Sequence, residues 1–403
     1  MNIKKAKKQI KNTLIAYFTK DEKGNFLLPV EKQRPLFLMG PPGIGKTAIV
    51  SQVAKEMNVG FLAYSMTHHT RQSAIGLPYI EKKIYEGKEV SVSEYTMSEI
   101  IASIYEYMEK SKNKNGILFL DEINCVSETL APLMLMFLQY KTFGKHKVPK
   151  GWVIVTAGNP PEYNDSVRQF DIATWDRLKR IDIEPDFESF REYGISMSLH
   201  SAIITFLDIK RTAFYKISNN GAKKSFVTAR GWEDLSLIIK LYEKNEIEVD
   251  EDLVSQYLQD EEIANAFVNY YHLYNNYRCD YQIENILKNK VDKTVKERVK
   301  KATFDEKISL ISLLFDTIKE KIKKHVLLYE SSDISAFEES EKSGKELSDE
   351  ISNAIDFCQN NFDGSKEALV LISRLSFDSV CATFIANYGC RSYFKYNDAL
   401  IFE

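Results

Sequence analysis

Short apolar runs alternate with helical periodicities along the first half of the chain. Residues 1–20 set Ile10, Leu14, Ile15 and Phe18 at helical spacing, which predicts an amphipathic helix closed by a turn around Gly24. LFLM (36–39), FLAYS (61–65), ILFL (117–120), WVIVT (152–156) and RIDI (180–183) read as short buried strands. TAIVSQVAKEM follows the first of them and MSEIIASIYEYMEK precedes the third; both read as helices. ETLAPLMLMFLQY, after the third, is apolar nearly all round, which predicts a well-buried helix. Strands alternating with helices predict an α/β fold: βαβ units building a parallel five-stranded sheet between helical layers.

The pattern changes after Pro185. SLHSAIITFLDIK, TARGWEDLSLIIKLYEK and IANAFVNYYHLYNNY are helical, with almost no strand signal among them. The polar, acidic stretch 331–350 reads as a linker or mobile loop. A last helical segment, 351–390, carries Ile355, Phe357, Cys358 and Phe362. The expected division is a lead-in helix at 1–34, an αβα core at 35–184, a helical domain at 185–278 and a mostly helical region at 279–403.

Composition narrows this little. A chain of 403 residues is long enough for two or three cores, and 44% hydrophobic with 28% charged residues is an ordinary globular balance. The formal charge of -3 gives no whole-chain signal for nucleic acid or an anionic membrane. Two stretches, 1–11 and 287–301, are basic, and both fit solvated helix faces. The five cysteines show no CxxC spacing, and the longest apolar run, at 131–138, is too short to span a bilayer. A cytoplasmic chain with no membrane contact is expected.

The chemistry begins at GPPGIGKT (40–47), which matches GxxxxGK[ST] between a strand and a helix, the context that motif requires. Gly43 and Gly45 let backbone N–H groups face phosphate oxygens, and the helix N-terminus adds its positive dipole end. Lys46 reaches the β and γ phosphates; Thr47 offers its hydroxyl to Mg²⁺. Gly40, Pro41, Pro42, Gly43, Ile44, Gly45, Lys46, Thr47 and Ala48 are therefore the candidate contacts to ATP. ILFLDEIN (117–124) places Asp121 and Glu122 at a strand's C-terminal end, where open α/β sheets bind ligands. Asp121 suits the Mg²⁺ shell beside Thr47. Glu122 is placed to polarise a water, which points to hydrolysis. Asn159, ending WVIVTAGNP, either holds the attacking water or serves a turn before Pro160. FDIATWDRLKRID (170–182) sets Arg177 and Arg180 just ahead of a strand, as ligands for an anion or as partners of Asp176 or Asp182.

GPPGIGKT, SAIGLP (73–78), FLDEIN, GNPPEY (158–163), WDRLKR and VTARGWEDL (227–235), in this order, resemble an AAA+ ATPase, and specifically its MoxR-like branch. The resemblance runs from about Arg34 to Arg230 and fades beyond Tyr277. It implies that Arg177, with Arg180 as second candidate, reaches the ATP of a neighbouring copy. It implies further that Arg230 is the sensor 2 arginine of a helical lid and that the chain forms a hexameric ring. A protein partner bearing a von Willebrand factor A domain is implied too, as is a helical insert within Ser73–Glu94. Cys125 stands where the family usually has Arg. A different class, a nucleic-acid-associated NTPase of restriction or defence type, draws its support from the two basic stretches. A nucleotide-gated scaffold is a third, and Glu122 argues against it. NKVD (289–292) fits a guanine-reading tetrapeptide but sits in a basic helical run, and the adjacent His68 and His69 cannot share a helix face as metal ligands.

Overall fold

A computed structural model describes residues 1–163, 166–220, 223–329, 337–362 and 365–401. The first of its two units, Met1–Asp186, is built on a sheet. Its strands are β1 (Leu36–Met39), β2 (Gly60–Ser65), β3 (Pro78–Tyr85), β4 (Lys88–Tyr95), β5 (Gly116–Asp121), β6 (Thr142–Phe143), β7 (His146–Lys147), β8 (Trp152–Gly158) and β9 (Lys179–Asp182). Its helices are α1 (Ile3–Phe18), α2 (Lys46–Glu56), α3 (Arg71–Ile75), α4 (Glu99–Ser111), α5 (Ala131–Tyr140) and α6 (Ile172–Arg177). Five strands pair in the order β2-β5-β8-β1-β9, all parallel.

Both faces of the central strands β1, β5 and β8 are buried, which is why they read as continuous apolar runs, whereas the edge strands β2 and β9, also expected to be buried, are only partly so. Phe37, Leu118, Leu120 and Ile154 lie in one core cluster with Ile100 and Ile104 of α4 and Phe137 of α5. The residues between them, Leu36, Leu38, Ile117, Phe119 and Val155, are equally buried and belong to the opposite face. α2 packs against β2 and β5, and α1 packs on α2.

Several expectations need correction. α1 buries Ala6, Ile10, Leu14 and Tyr17, so Ile15 faces outward. α5 buries Met134, Phe137 and Leu138 but leaves Met136 and Tyr140 exposed. The insert expected to be helical within Ser73–Glu94 is chiefly the antiparallel hairpin β3–β4, after the five-residue α3. Glu86 and Gly87 both take positive φ, 51° and 78°, as a two-residue hairpin turn demands, and the Val, Ile and Tyr of its arms suit strands. Among the basic residues of α1, Lys7 and Lys11 pair with Glu56 of α2 at 2.7 and 3.0 Å.

Among its described residues the second unit, Phe187–Glu403, is helical apart from one hairpin. It contains α7 (Phe187–Ser196), α8 (Ser201–Ile209), β10 (Lys216–Asn220), β11 (Lys223–Val227), α9 (Ala229–Lys244), α10 (Glu251–Tyr257), α11 (Glu261–Asp280), α12 (Ile283–Leu287) and α13 (Lys293–Lys301). Then follow α14 (Phe304–Tyr329), α15 (Phe337–Asn361), α16 (Ser365–Phe377), α17 (Ser379–Tyr388) and α18 (Arg391–Ile401). β10 and β11 pair antiparallel; their polar sequences KISNN and KKSFV carry no apolar alternation, so no strand was expected there. The stretch expected to be a linker at 331–350 is helical from Phe337 onward, as the start of α15; its residues 331–336 lie outside the described residues. The division expected at 278/279 falls within α11, and one core cluster runs from Phe190 to Cys390 across it. NKVD lies between α12 and α13, away from any strand.

α14 sits centrally, touching α8, α11, α15, α16 and α17. Trp232 of α9 is fully buried, and its indole N–H is shared between the carbonyls of Ala213 and Phe214 at 3.3 and 3.2 Å. No single helix among the described residues is long and apolar enough to cross a membrane. One bent pair, Leu369–Phe377 with Ser379–Tyr388, has the combined length, but its Leu371, Ile372, Leu375, Phe384 and Ile385 belong to the helical core.

Candidate nucleotide site

β1 ends at Met39 and the chain turns back at once. Gly40 has no room for a side chain: a Cβ there would lie 2.7 Å from the Ile183 carbonyl oxygen and 2.8 Å from Ile44 Cδ1. Gly43 and Gly45 take φ of 72° and 89°, a left-handed backbone that glycine adopts without strain. Gly45 is also the N-cap of α2 and makes no side-chain cap bond, so the first turn of this helix is offered to an anion rather than to a Ser or Asp.

Lys46 is buried and folds back over the loop. Its Nζ donates to the carbonyls of Gly40 and Pro41 at 2.7 and 2.8 Å and to Asn159 Oδ1 at 2.8 Å. Next to it, Thr47 Oγ1 donates to Asp121 Oδ2 at 3.0 Å. The other oxygen of Asp121 accepts from the Glu122 backbone N–H at 3.0 Å. Three positions far apart in sequence thus meet within hydrogen-bond reach. The reason is topological: β1, β5 and β8 are neighbours in register, and all three end on the same edge.

Glu122 adopts φ of 55°, uncommon for a residue with a side chain. Its Oε2 accepts from Thr67 Oγ1 at 3.2 Å and Ser65 Oγ at 3.4 Å. Ser65 stands opposite Asp121 in the β2–β5 register, which brings this hydroxyl pair to the acidic strand end. Asn124, also not foreseen as functional, is buried and donates from Nδ2 to the Asn159 carbonyl at 2.8 Å. A Cβ on Gly158 would lie 2.3 Å from Asn124 Oδ1, so the glycine before Asn159 is a packing requirement of this bond. Asn159 is therefore tied at both its carbonyl and its side-chain oxygen, which goes beyond a simple turn residue. The sequence signal for Ser65, Thr67 and Asn124 was only their position at strand ends. Cys125 places its thiol 3.8 Å from Asn124 Oδ1; burial first, then the charges of Glu122 and Asp121, raise its pKa, keeping it a thiol.

The two arginines of 170–182 differ. Arg180 is held locally: its Nε and Nη2 each lie 2.8 Å from Asp182 Oδ1, and its guanidinium stacks 4.8 Å from the Trp175 ring. Arg177 ends α6 and is exposed; its charge lowers the pKa of Asp171, after the hydrogen bonds of Thr174 to that carboxylate. Asp176 faces Arg34 at 3.8 Å. The segment is pinned to the sheet by aromatic contacts, with Phe170 and Trp175 edge-on to Phe37 at 5.6 and 5.1 Å. Arg230 belongs to the helical unit, exposed in the first turn of α9, whose N-cap Thr228 accepts from the Gly231 N–H at 3.3 Å. Pro41, Pro42 and Ile44 are loop residues of the same turn; Ala48 is exposed on α2.

Residues 36–175 match the family described as ATPase family associated with various cellular activities (AAA). Among solved structures, the chain is similar to a proline-to-glycine mutant of RuvB from Thermotoga maritima at 15% identity, covering 64% of this chain and 72% of that one with a TM-score of 0.34. No curated protein sequence matches.

Proposed function

We propose that this chain, whose residues 36–175 form an ATPase domain of the AAA family, is a Mg²⁺-dependent ATP hydrolase that works as a ring and remodels a partner protein. The observation that carries the reading is the bonded series Asn159–Lys46 and Thr47–Asp121, with Glu122 following directly on the acid. The site fits a divalent cation: the Thr47 hydroxyl and the Asp121 carboxylate are hard oxygen donors already 3.0 Å apart. Mg²⁺ held there supplies neutralisation of charge on the β and γ phosphates.

The chain supplies the remaining chemistry. Loop amides around Gly43 and Gly45 and the first turn of α2 take phosphate oxygens. Lys46 exchanges the carbonyls of Gly40 and Pro41 for phosphate oxygens, a stronger, charge-assisted pairing. Asn159 orients the attacking water. Glu122 accepts the proton of that water, turning from the hydroxyls of Ser65 and Thr67 to do so. Arg177, exposed at the end of α6, serves the γ-phosphate of a neighbouring copy, whereas Arg180, clamped by Asp182, positions that segment. The resemblance assigns Arg230 the sensor 2 role.

The MoxR-like assignment rests on the resemblance carried by DEIN and by the DR pair ahead of β9; the hexamer and a von Willebrand factor A partner come with it. Native mass spectrometry of Glu122→Gln with ATP tests the assembly. A closed ring of six chains is expected, and a monomer at micromolar concentration overturns the ring. A partner retained by this ring with ATP and released with ADP supports remodelling; DNA retained in its place supports the nucleic-acid reading.

A further inference from the structure

A cavity of about 470 Å³ opens within the helical unit, among α8, α9, α11 and α14. We propose that it is a binding site for a compact small molecule bearing a phosphate or pyrophosphate group, built wholly from residues outside the ATPase domain.

Four lysines line it, Lys240, Lys244, Lys319 and Lys323. Lys240 comes from α9; Lys319 and Lys323, one helical turn apart, come from α14. Lys319 is buried and fixed, its charge paired with the buried Asp378 carboxylate, and its Nζ also donates to Ser198 Oγ at 2.6 Å and the Ile195 carbonyl at 3.3 Å, so the charge least compensated is at Lys240 and Lys323. Lys240 donates to the Ser198 carbonyl. Ser198 thus serves two lysines at once, from a left-handed backbone with φ of 58° that a residue with a side chain adopts only where its surroundings enforce it. Lys323 stands exposed at the rim.

Like charges gathered in a concave, partly desolvated space repel one another. Burial and the charges of Lys319 and Lys323 lower the pKa of Lys240, against the opposing pull of Asp316 and Glu243. An oxyanion seated between Lys240 and Lys323 relieves that repulsion. The acids of the wall are engaged by other partners. Asp316 accepts from Ser201 and, at 3.2 Å, from Tyr274, and burial raises its pKa. Glu243 lies 3.0 Å from His200 Nε2 and accepts from Tyr271 at 2.8 Å. Arg374 in the wall is taken by Asp208 at 2.8 Å, and Glu320 is the remaining acid, exposed. Lysines as point charges suit a tetrahedral, multiply charged group. The volume lies within the range of small-ligand sites and admits a phosphorylated metabolite rather than a polymer.

The test is a calorimetric titration of inorganic pyrophosphate into the full chain carrying Lys46→Ala, which removes the cation of the nucleotide loop. Orthophosphate is titrated in parallel to separate the two groups. One site per chain is expected, its affinity falling with added salt. A further Lys323→Gln, at an exposed side chain, should weaken it tenfold or more, and Lys240→Gln likewise, with thermal melting unchanged. Absence of binding in the Lys46→Ala chain, or binding indifferent to Lys323→Gln, overturns the proposal. Neither result depends on whether the first unit hydrolyses ATP.

Discussion

The candidate nucleotide site centres on one lysine, Lys46, and the helical cavity on several, and the two bring their side chains together by different means. In the first unit Lys46, Asp121 and Asn159 each follow a strand of one parallel sheet, and adjacency of β1, β5 and β8 brings their side chains together. In the helical unit Lys240, Lys319 and Lys323 project from two long helices, and only the packing of those helices makes them neighbours. A parallel sheet carries its functional atoms at predictable ends; a helical bundle places them anywhere along its length. The first arrangement concentrates function in short motifs, while the second leaves each lysine looking like any other on a helix.

Separating Lys46 from the cavity lysines gives the largest expected effect. Lys46→Ala removes the charge that phosphate oxygens would meet and should weaken ATP binding by about 3 kcal/mol, roughly a hundredfold. Lys323→Gln should leave ATP affinity unmoved. Calorimetry on both variants checks this, and an ATP affinity untouched by Lys46→Ala removes the nucleotide site from this loop.

Next comes the pair of arginines. An arginine supplied in trans is worth about 10³–10⁵ in rate in GTPases. Arg177→Ala should lose about a hundredfold or more in turnover while binding ATP almost normally, and Arg180→Ala, whose partner is its own Asp182, less than about tenfold. Mixing Arg177→Ala with Lys46→Ala chains should restore part of the activity, because an intact loop on one copy can face an intact Arg177 on another. Mixed assemblies with no recovery would confine Arg177 to its own chain.

Lys141 gives the smallest effect and sharpens the comparison from the other side, as a buried lysine with a structural duty. Its Nζ donates to the Val30 carbonyl at 2.7 Å, and burial lowers its pKa to about 8. Below pH 8 it is charged in both folded and unfolded chains, and the folded state carries the full desolvation penalty. Between about 8 and 10.5 the folded chain has released the proton that the unfolded chain still holds, so stability rises with pH in that window. Lys141→Met should therefore stabilise the protein at pH 7 by about 1–2 kcal/mol, less the bond to Val30, with the advantage shrinking as pH climbs through that range. Denaturant melts at pH 7 and 9.5 measure it, and a gap independent of pH would contradict the cause.

The central strands β1, β5 and β8 were legible because they are buried on both faces and so read as unbroken apolar runs, whereas the edge strands β2 and β9 are only partly buried. Lys46, Thr47, Asp121, Glu122 and Asn159 were legible because each follows or opens such an element. What escaped had no local pattern. Ser65 matters through its register opposite Asp121, Thr67 by following that strand, and Asn124 through burial, none of which periodicity reports. The hairpin β3–β4 stands where the family resemblance implies a helical insert, and its arm PYIEKKIY, with no clear alternation, carries little strand signal of its own. The acidic stretch at 331–350 reads as a loop by polarity, yet α15 covers it from Phe337 onward, and Leu347 and Ile351 anchor it to the helical core. The boundary at 278/279 failed for a related reason: a shared core leaves no compositional mark.

The most direct test of the account is Glu122→Gln, with equilibrium ATP binding and phosphate release measured on the same preparation. The substitution keeps the shape and the hydroxyl contacts of the side chain while removing its capacity to accept a proton. ATP affinity should stay within about threefold of the unaltered protein and turnover should fall by about 10²–10⁴. Turnover comparable to that of the unaltered protein would place the base elsewhere and contradict the hydrolytic reading of this strand end.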